Sequence, residues 1–233
     1  MPILRQDIRA CIVDLDGTLI DTLGDFEVAL NAMLAELGRP GVRSSDIARW
    51  VGKGSEHLIK TVLQSSATGA KALDDAAVEK LMPEAWKHYQ ASYLRINGQH
   101  STVFAGATEG LAALKARGLP LACLTNKPRD FALPLLEAKG LSSYFTHVFG
   151  GDSFPRKKPD PLPLIETCKA LAIAPSQTLM IGDSANDAQA ARAAGCPVVL
   201  TTYGYNHGEP IEAVDADGFV SSLVDIEAWI GNK

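Results

Sequence analysis

The chain has no long basic run, no C-x-x-C pair and no apolar stretch near the about 20 residues a membrane span needs. Without a basic run, and with a formal net charge of −5 and a pI near 5.5, an extended nucleic-acid surface is not expected. The four cysteines (Cys11, Cys123, Cys168 and Cys196) are scattered, three of them in or beside apolar runs. They are expected to be buried reduced thiols rather than disulfides or metal ligands. The segment Met1–Asp7 lacks a charged region followed by an apolar one. No secretory signal and no membrane partner are therefore expected, and the expected location is cytoplasmic. No internal repeat, low-complexity segment or heptad run occurs, so the oligomeric state is not specified. What is present is an ordinary globular composition, 46% hydrophobic and 21% charged over 233 residues, enough for a substantial core.

Short apolar runs alternate with helical patterns. Residues 8–14, 119–124, 146–149, 178–181 and 197–200 read as strands buried on both faces, as in a parallel sheet. Helical spacing marks residues 108–117, 130–139, 161–172 and 185–194, and Gly118, Gly140 and Gly195 follow three of these as C-cap glycines. The alternation predicts an α/β fold, a doubly wound parallel sheet with right-handed crossovers. Residues 19–96 break the rhythm. They offer no convincing strand, only helical patterns from Phe26 to Leu37 and over 45–51, 56–64 and 76–94. The stretch 65–75 is the most loop-like. Residues 1–18 with 97–233 are therefore expected to form the core, and 19–96 an inserted helical cap standing over the carboxyl ends of the strands, where such sheets bind ligands.

Polar residues accumulate at the strand ends. Asp14 and Asp16 close the first strand on one face, roughly 7 Å apart at Cα, and two such carboxylates need a compensating cation. Gly17 and Thr18 then break the strand. Thr125 and Asn126 follow the second strand, where they could simply cap the next helix. Lys157 and Lys158 precede Pro159 and a helix; alone they read as solvated charge. Gly182, Asp183, Ser184 and Asp187 follow the fourth strand, with Ser184 an N-cap candidate and Asp187 in the first helical turn. Each has a structural explanation, yet together they place acids, a hydroxyl and a lysine at one end of one sheet.

In order and spacing, Asp14-x-Asp16-Gly17-Thr18, Thr125-Asn126, Lys158-Pro159 and Gly182-Asp183-Ser184-x-x-Asp187 resemble the four motifs of the haloacid dehalogenase superfamily. Longer strings are similar to its phosphoglycolate phosphatase family: residues 14–22, Asn126-Lys127-Pro128-Arg129, Gly151-Asp152-Ser153, residues 157–161, residues 182–195 and Tyr203–Gly208. The resemblance implies a Rossmann-like core with a helical cap, and hydrolysis of a small phosphorylated metabolite with Mg²⁺ as cofactor. It implies Asp14 as nucleophile and Asp16 as acid and base, with metal ligands from Asp14, Asp183 and the Asp16 carbonyl. Thr125 and Lys158 would bind the phosphoryl group, Lys158 being preferred to Lys157 because it directly precedes Pro159. Asn126 and Asp187 would support them, Asp187 by orienting Lys158 or a metal-bound water.

A second anionic group on the substrate needs its own cation or backbone donors. Arg49 and Lys53, beside the glycine-flexed turn Gly52-Lys53-Gly54, are the candidates for it on the cap; on the core, Arg129 is a candidate phosphate contact, and Gly17 and Thr18 are further substrate-binding candidates. No catalytic role follows for His207. Three other functions fit the same motifs less well. A dehalogenase has no use for Asp16 or a metal. A mutase or another phosphatase of this fold needs a differently shaped cap, and a non-catalytic regulator would be expected to lack a motif residue.

Overall fold

A computed structural model describes residues 7–65 and 72–230. In chain order, β1 (Ala10–Val13) and a two-residue β2 (Ile20–Asp21) are followed by four helices, α1 (Leu23–Glu36), α2 (Ser44–Ile47), α3 (Ser55–Gln64) and α4 (Asp75–Ile96). The chain returns through β3 (Thr102–Val103), then α5 (Ala107–Ala116), β4 (Leu121–Leu124), α6 (Arg129–Ala138) and β5 (His147–Phe149). It ends with α7 (Leu162–Leu171), β6 (Thr178–Gly182), α8 (Ala185–Ala194), β7 (Val198–Thr201), β8 (Gly218–Val220) and a 3₁₀ segment, Leu223–Trp229. Of the loop expected at 65–75, residues 66–71 lie outside the described residues.

Six strands pair in parallel in the order β5-β4-β1-β6-β7-β8. Every residue of β1, β4, β6 and β7 is buried, which is why these strands read as unbroken apolar runs. Alternation divides their side chains between two cores. Cys11, Val13, Cys123 and Ile181 pack under α5, α6 and the 3₁₀ segment. Ile12, Leu124, Met180 and Val198 pack under α7 and α8. All four cysteines are buried. The chain winds outward from β1 through β4 to β5, crosses back, and winds the other way through β6 and β7. The carboxyl end of β1 is therefore the switch point, flanked by the ends of β4 and β6.

The short antiparallel pair β2 and β3 brackets the four helices. β2 lies inside the stretch 19–96 that the sequence reads as strand-free, a correction that two residues of pairing could not signal. The helices bury their own apolar cluster, built on Phe26, Leu30, Met33, Leu34, Val62, Tyr89 and Tyr93, and it also takes in Phe131 of α6 and Tyr205. Asp25, fully buried in the first turn of α1, accepts N–H bonds from Gly98 and His100, each 2.8 Å. It thus ties the outgoing chain to the returning one. The helix expected over 45–51 is the single turn Ser44–Ile47. No described helix is long and apolar enough to cross a membrane.

Candidate active site

Asp14 is the first residue beyond β1, and its N–H still bonds the Ile181 carbonyl of β6 at 2.9 Å, so strand pairing fixes its direction. Its Oδ1 accepts the Leu15 N–H at 2.7 Å and lies 3.0 Å from Lys158 Nζ. Both of these contacts fall on Oδ1. Gly17 turns the chain away at φ +85°; a Cβ there would lie 2.1 Å from Asp183 Oδ2, so only glycine lets this turn and Asp183 coexist. The Gly17 N–H is used by the Ile20 carbonyl. Thr18, fully buried, donates its hydroxyl to Asp183 Oδ1 at 2.8 Å, so it orients an acid rather than facing the cleft.

Lys158 is 3% exposed, and its ammonium reaches Asp187 Oδ1 at 2.6 Å, the Leu124 carbonyl at 2.8 Å and Asp14 at 3.0 Å. Lys157 instead is partly exposed, 4.0 Å from Glu56. Asn126 holds the lysine backbone from both sides: its Oδ1 accepts the Lys158 N–H at 3.0 Å and its Nδ2 donates to the Lys158 carbonyl at 2.9 Å. The same Nδ2 donates to the Gly52 carbonyl of the helical block at 3.0 Å. Asn186 also reaches that carbonyl, at 3.2 Å. Thr125 and Asn126 do not cap α6, whose N-cap is Pro128 with no side-chain bond; Thr125 is buried and lines the cleft.

Asp183 and Asp187 flank the start of α8. Asp187 Oδ2 closes a capping box with Ser184, accepting from its hydroxyl at 2.7 Å and its N–H at 3.2 Å. Asp187 thus spends one oxygen on the helix and the other on Lys158. Asp183 Oδ2 accepts the Tyr205 N–H at 2.6 Å. That donor explains the Tyr203–Gly208 string. Tyr203 donates to the Thr18 carbonyl at 2.8 Å, Tyr205 bonds Asp21, and Asn206 Oδ1 accepts the Ala185 N–H at 2.9 Å, so the loop braces the acidic turn. His207 contacts Asn186 at 3.3 Å at its edge.

Asp14, Asp183 and Asp187 each offer an oxygen within 4.8 Å of the others, and all three are buried. One ammonium faces three carboxylates, so negative charge is in excess. Burial pushes the Asp14 carboxyl up to about 7, despite the pull of Lys158 and with a further push from Asp187. Asp183 is raised well above the ordinary carboxylate range, by burial first and then by Asp187 and Asp14. Burial opposes the charge on Lys158, but Asp14 and Asp187 outweigh it and hold its pKa high. An all-oxygen donor set carrying excess negative charge fits a hard divalent cation, and Asp14 and Asp183 are the acids whose oxygens Lys158 and the helix cap leave least occupied.

Asp14, alone among these groups, lines the narrow cleft between the strand ends and the helical block. Asp14, Asp16, Thr125, Asn126 and Lys127 come from the strand ends, and Phe26, Val51, Gly52, Gly54, Ser55 and Leu58 from the helical block. Arg49, Lys53 and Arg129 are not among the lining residues. Arg49 pairs with Asp46, Lys53 is exposed, and Arg129 is exposed with its N–H on Asp152. Sequence reasoning passed over Lys127, which is buried with its ammonium 2.8 and 3.0 Å from the two Asp16 oxygens. The available signal was a lysine three residues beyond a buried strand, inside the Asn126–Arg129 string.

A family model for haloacid dehalogenase-like hydrolases matches residues 8–195. A phosphoglycolate phosphatase of Thiobacillus denitrificans is 45% identical over 218 residues, 94% of this chain and 93% of the relative. The phosphoglycolate phosphatase of Escherichia coli is 38% identical over 236 residues, 97% of this chain and 94% of the relative. A crystal structure described as a predicted phosphoglycolate phosphatase from Haemophilus somnus superposes with a TM-score of 0.87 at 32% identity, covering 95% of this chain and 97% of that one. With its six-stranded parallel sheet and its acids gathered at the end of β1, this chain belongs to the haloacid dehalogenase-like hydrolase family.

Proposed function

We propose that the chain is a Mg²⁺-dependent phosphatase that hydrolyses 2-phosphoglycolate to glycolate and phosphate through an aspartyl phosphate on Asp14. The observation that carries this reading is the buried group of Asp14, Asp183 and Asp187 with Lys158 bonded into it. The substrate follows from relatives of that name, 38–45% identical over nearly the whole chain. On this reading residues 1–18 and 97–233 are the catalytic core and 19–96 the cap that closes over it.

Asp14, Asp183 and the backbone carbonyl of Asp16 would hold the cation. When bound, Mg²⁺ offsets the repulsion between a carboxylate and a phosphate dianion and orients the two. In the first step an Asp14 oxygen forms a bond to phosphorus while the bond to the ester oxygen breaks. Asp16 gives its proton to the departing alkoxide. In the second step Asp16 takes a proton from water, the water oxygen bonds to phosphorus, and phosphate leaves Asp14 free. Thr125 donates to the phosphoryl oxygens and Lys158 neutralises their charge. Asn126 and Asp187 hold Lys158 in place from its backbone and its ammonium.

The test is turnover across a panel of small phosphate esters and phosphosugars, with Mg²⁺ and with excess chelator. Phosphoglycolate is expected to give the highest kcat/KM, and the chelator to abolish turnover. Full activity in chelator contradicts the metal assignment, and a better phosphosugar contradicts the substrate.

The metal reading also fixes a pH dependence. In the metal-free protein the Asp14 carboxyl is raised by burial to about 7. A carboxyl raised on folding adds stability that is complete below its ordinary pKa and lost as pH climbs through the raised value. Mg²⁺ needs the ionised acids, so its binding replaces that lost stability where pH is high. The gain in Tm on adding Mg²⁺ is therefore expected to be small at pH 5.5 and large at pH 8. A gain independent of pH contradicts binding at these acids.

A further inference from the structure

We infer that Lys127 is the cation that recognises the anionic substituent on the alcohol side of the substrate, the carboxylate in the case of phosphoglycolate. The inference rests on the phosphatase reading above and extends it from the phosphoryl group to the leaving group.

The two lysines of the site sit at opposite ends of the chemistry. Lys158 has three acceptors within 3.0 Å (Asp14, Asp187 and the Leu124 carbonyl), so each of its three protons is engaged at the phosphoryl end. Lys127 touches none of these groups. Its ammonium is bonded to the two oxygens of Asp16, the acid that serves the leaving oxygen. A cation paired with that acid stands on the alcohol side, where the substituent of the ester hangs. Among the described residues lining the cleft, Lys127 is the one cation.

Its surroundings suit this role. Lys127 is 3% exposed and reaches from the end of β4 up into the helical block. Its Nζ lies 4.5 Å from the centroid of Phe26 on α1 and 4.9 Å from that of Tyr93 on α4. Ring faces attract a cation without consuming its N–H donors. Asp16 uses at most two of the three, which leaves one for a second anion. Water is largely excluded here, so charge recognition is strong. The cations that the sequence offers from the cap, Arg49 and Lys53, are turned to Asp46 and to the exterior. Recognition of the second anion thus comes from the core, with the cap supplying the ring faces that hold the ammonium in place.

A bond to Asp16 alone would make Lys127 a positioning residue, and substrate selectivity separates the two roles. The experiment compares kcat/KM for 2-phosphoglycolate and for 2-hydroxyethyl phosphate, which replaces the carboxylate by a neutral CH₂OH. In K127M, whose side chain keeps the apolar stem against the rings, the ratio of the two constants is expected to fall roughly 100-fold. K127R keeps the charge and is expected to hold the ratio within about tenfold. An equal loss on both esters in K127M, or an unchanged ratio, overturns the inference. Should K127M not fold, K127Q is read the same way. Inhibition of p-nitrophenyl phosphate hydrolysis by phosphonoacetate and by ethylphosphonate gives a second reading. Wild type is expected to favour phosphonoacetate and the neutral variants to bind both alike; wild-type indifference overturns the inference. If wild type hydrolyses p-nitrophenyl phosphate but not phosphoglycolate, the substrate reading fails, and the inhibitor pair still decides the role of Lys127.

Discussion

Asp14→Asn is expected to lower kcat roughly 10⁵-fold on any phosphate ester, the scale seen when a covalent nucleophile is removed. Asparagine keeps the shape of the side chain and can still accept the Leu15 N–H that fixes its rotamer. What it loses is the charge that, in the proposed mechanism, attacks phosphorus. The same change removes one of three mutually repelling buried carboxylates, so the metal-free variant is expected to melt no lower than the wild type. Retained folding with lost turnover marks a chemical role, whereas activity within tenfold of wild type contradicts the assignment. Turnover and thermal melts on the same preparation read both quantities.

Lys158→Met is expected to cost both activity and stability, because one ammonium serves two anions and a carbonyl. Loss of its charge from the phosphoryl end is expected to lower kcat/KM by about 10³-fold. Lys158 and Asp187 are essentially inaccessible, at 2% and 0% side-chain exposure, so removing one partner strands the other in the interior. Breaking such a pair costs on the order of 3–5 kcal/mol, which lowers Tm by about 10 °C in a chain of this size. The double variant Lys158→Met with Asp187→Asn leaves less uncompensated charge and is expected to lose less than the sum of the single changes. Additive losses in Tm contradict the coupling, and an unchanged melt for Lys158→Met contradicts the burial argument.

The parts of this molecule that are legible in the sequence are those that local pattern determines. β1, β4, β6 and β7 are covered on both faces and so appear as apolar runs. Each strand of a parallel sheet points its carboxyl end the same way, so Asp14, Thr125 and Asp183 had to share one rim once the strands were placed. The edge strand Gly218–Val220 escaped notice because three residues beginning with glycine carry no strand signature. β2 and β3 are shorter still. At the site, what stayed hidden depends on contacts across the chain. Nothing near Lys127 announces that Phe26 and Tyr93 will close over it, or that Asp16 will be its partner. Nor does the Tyr203–Gly208 string reveal that one of its N–H groups is spent on Asp183. Arg49 and Lys53 lie elsewhere than their pattern suggests, for the complementary reason. A basic, glycine-flexed turn looks like an anion site, but Arg49 pairs with Asp46 and Lys53 is exposed, and the turn lends the cleft its Gly52 and Gly54 instead.

The central claim is that phosphate passes through a covalent bond to Asp14, and acid quenching during turnover of labelled substrate tests it most directly. With ³²P-phosphoglycolate and Mg²⁺, the label is expected on the peptide that contains Asp14, to form at least as fast as steady-state turnover, and to be lost on treatment with hydroxylamine. Label absent from the protein throughout turnover, or found on a residue other than Asp14, contradicts the account.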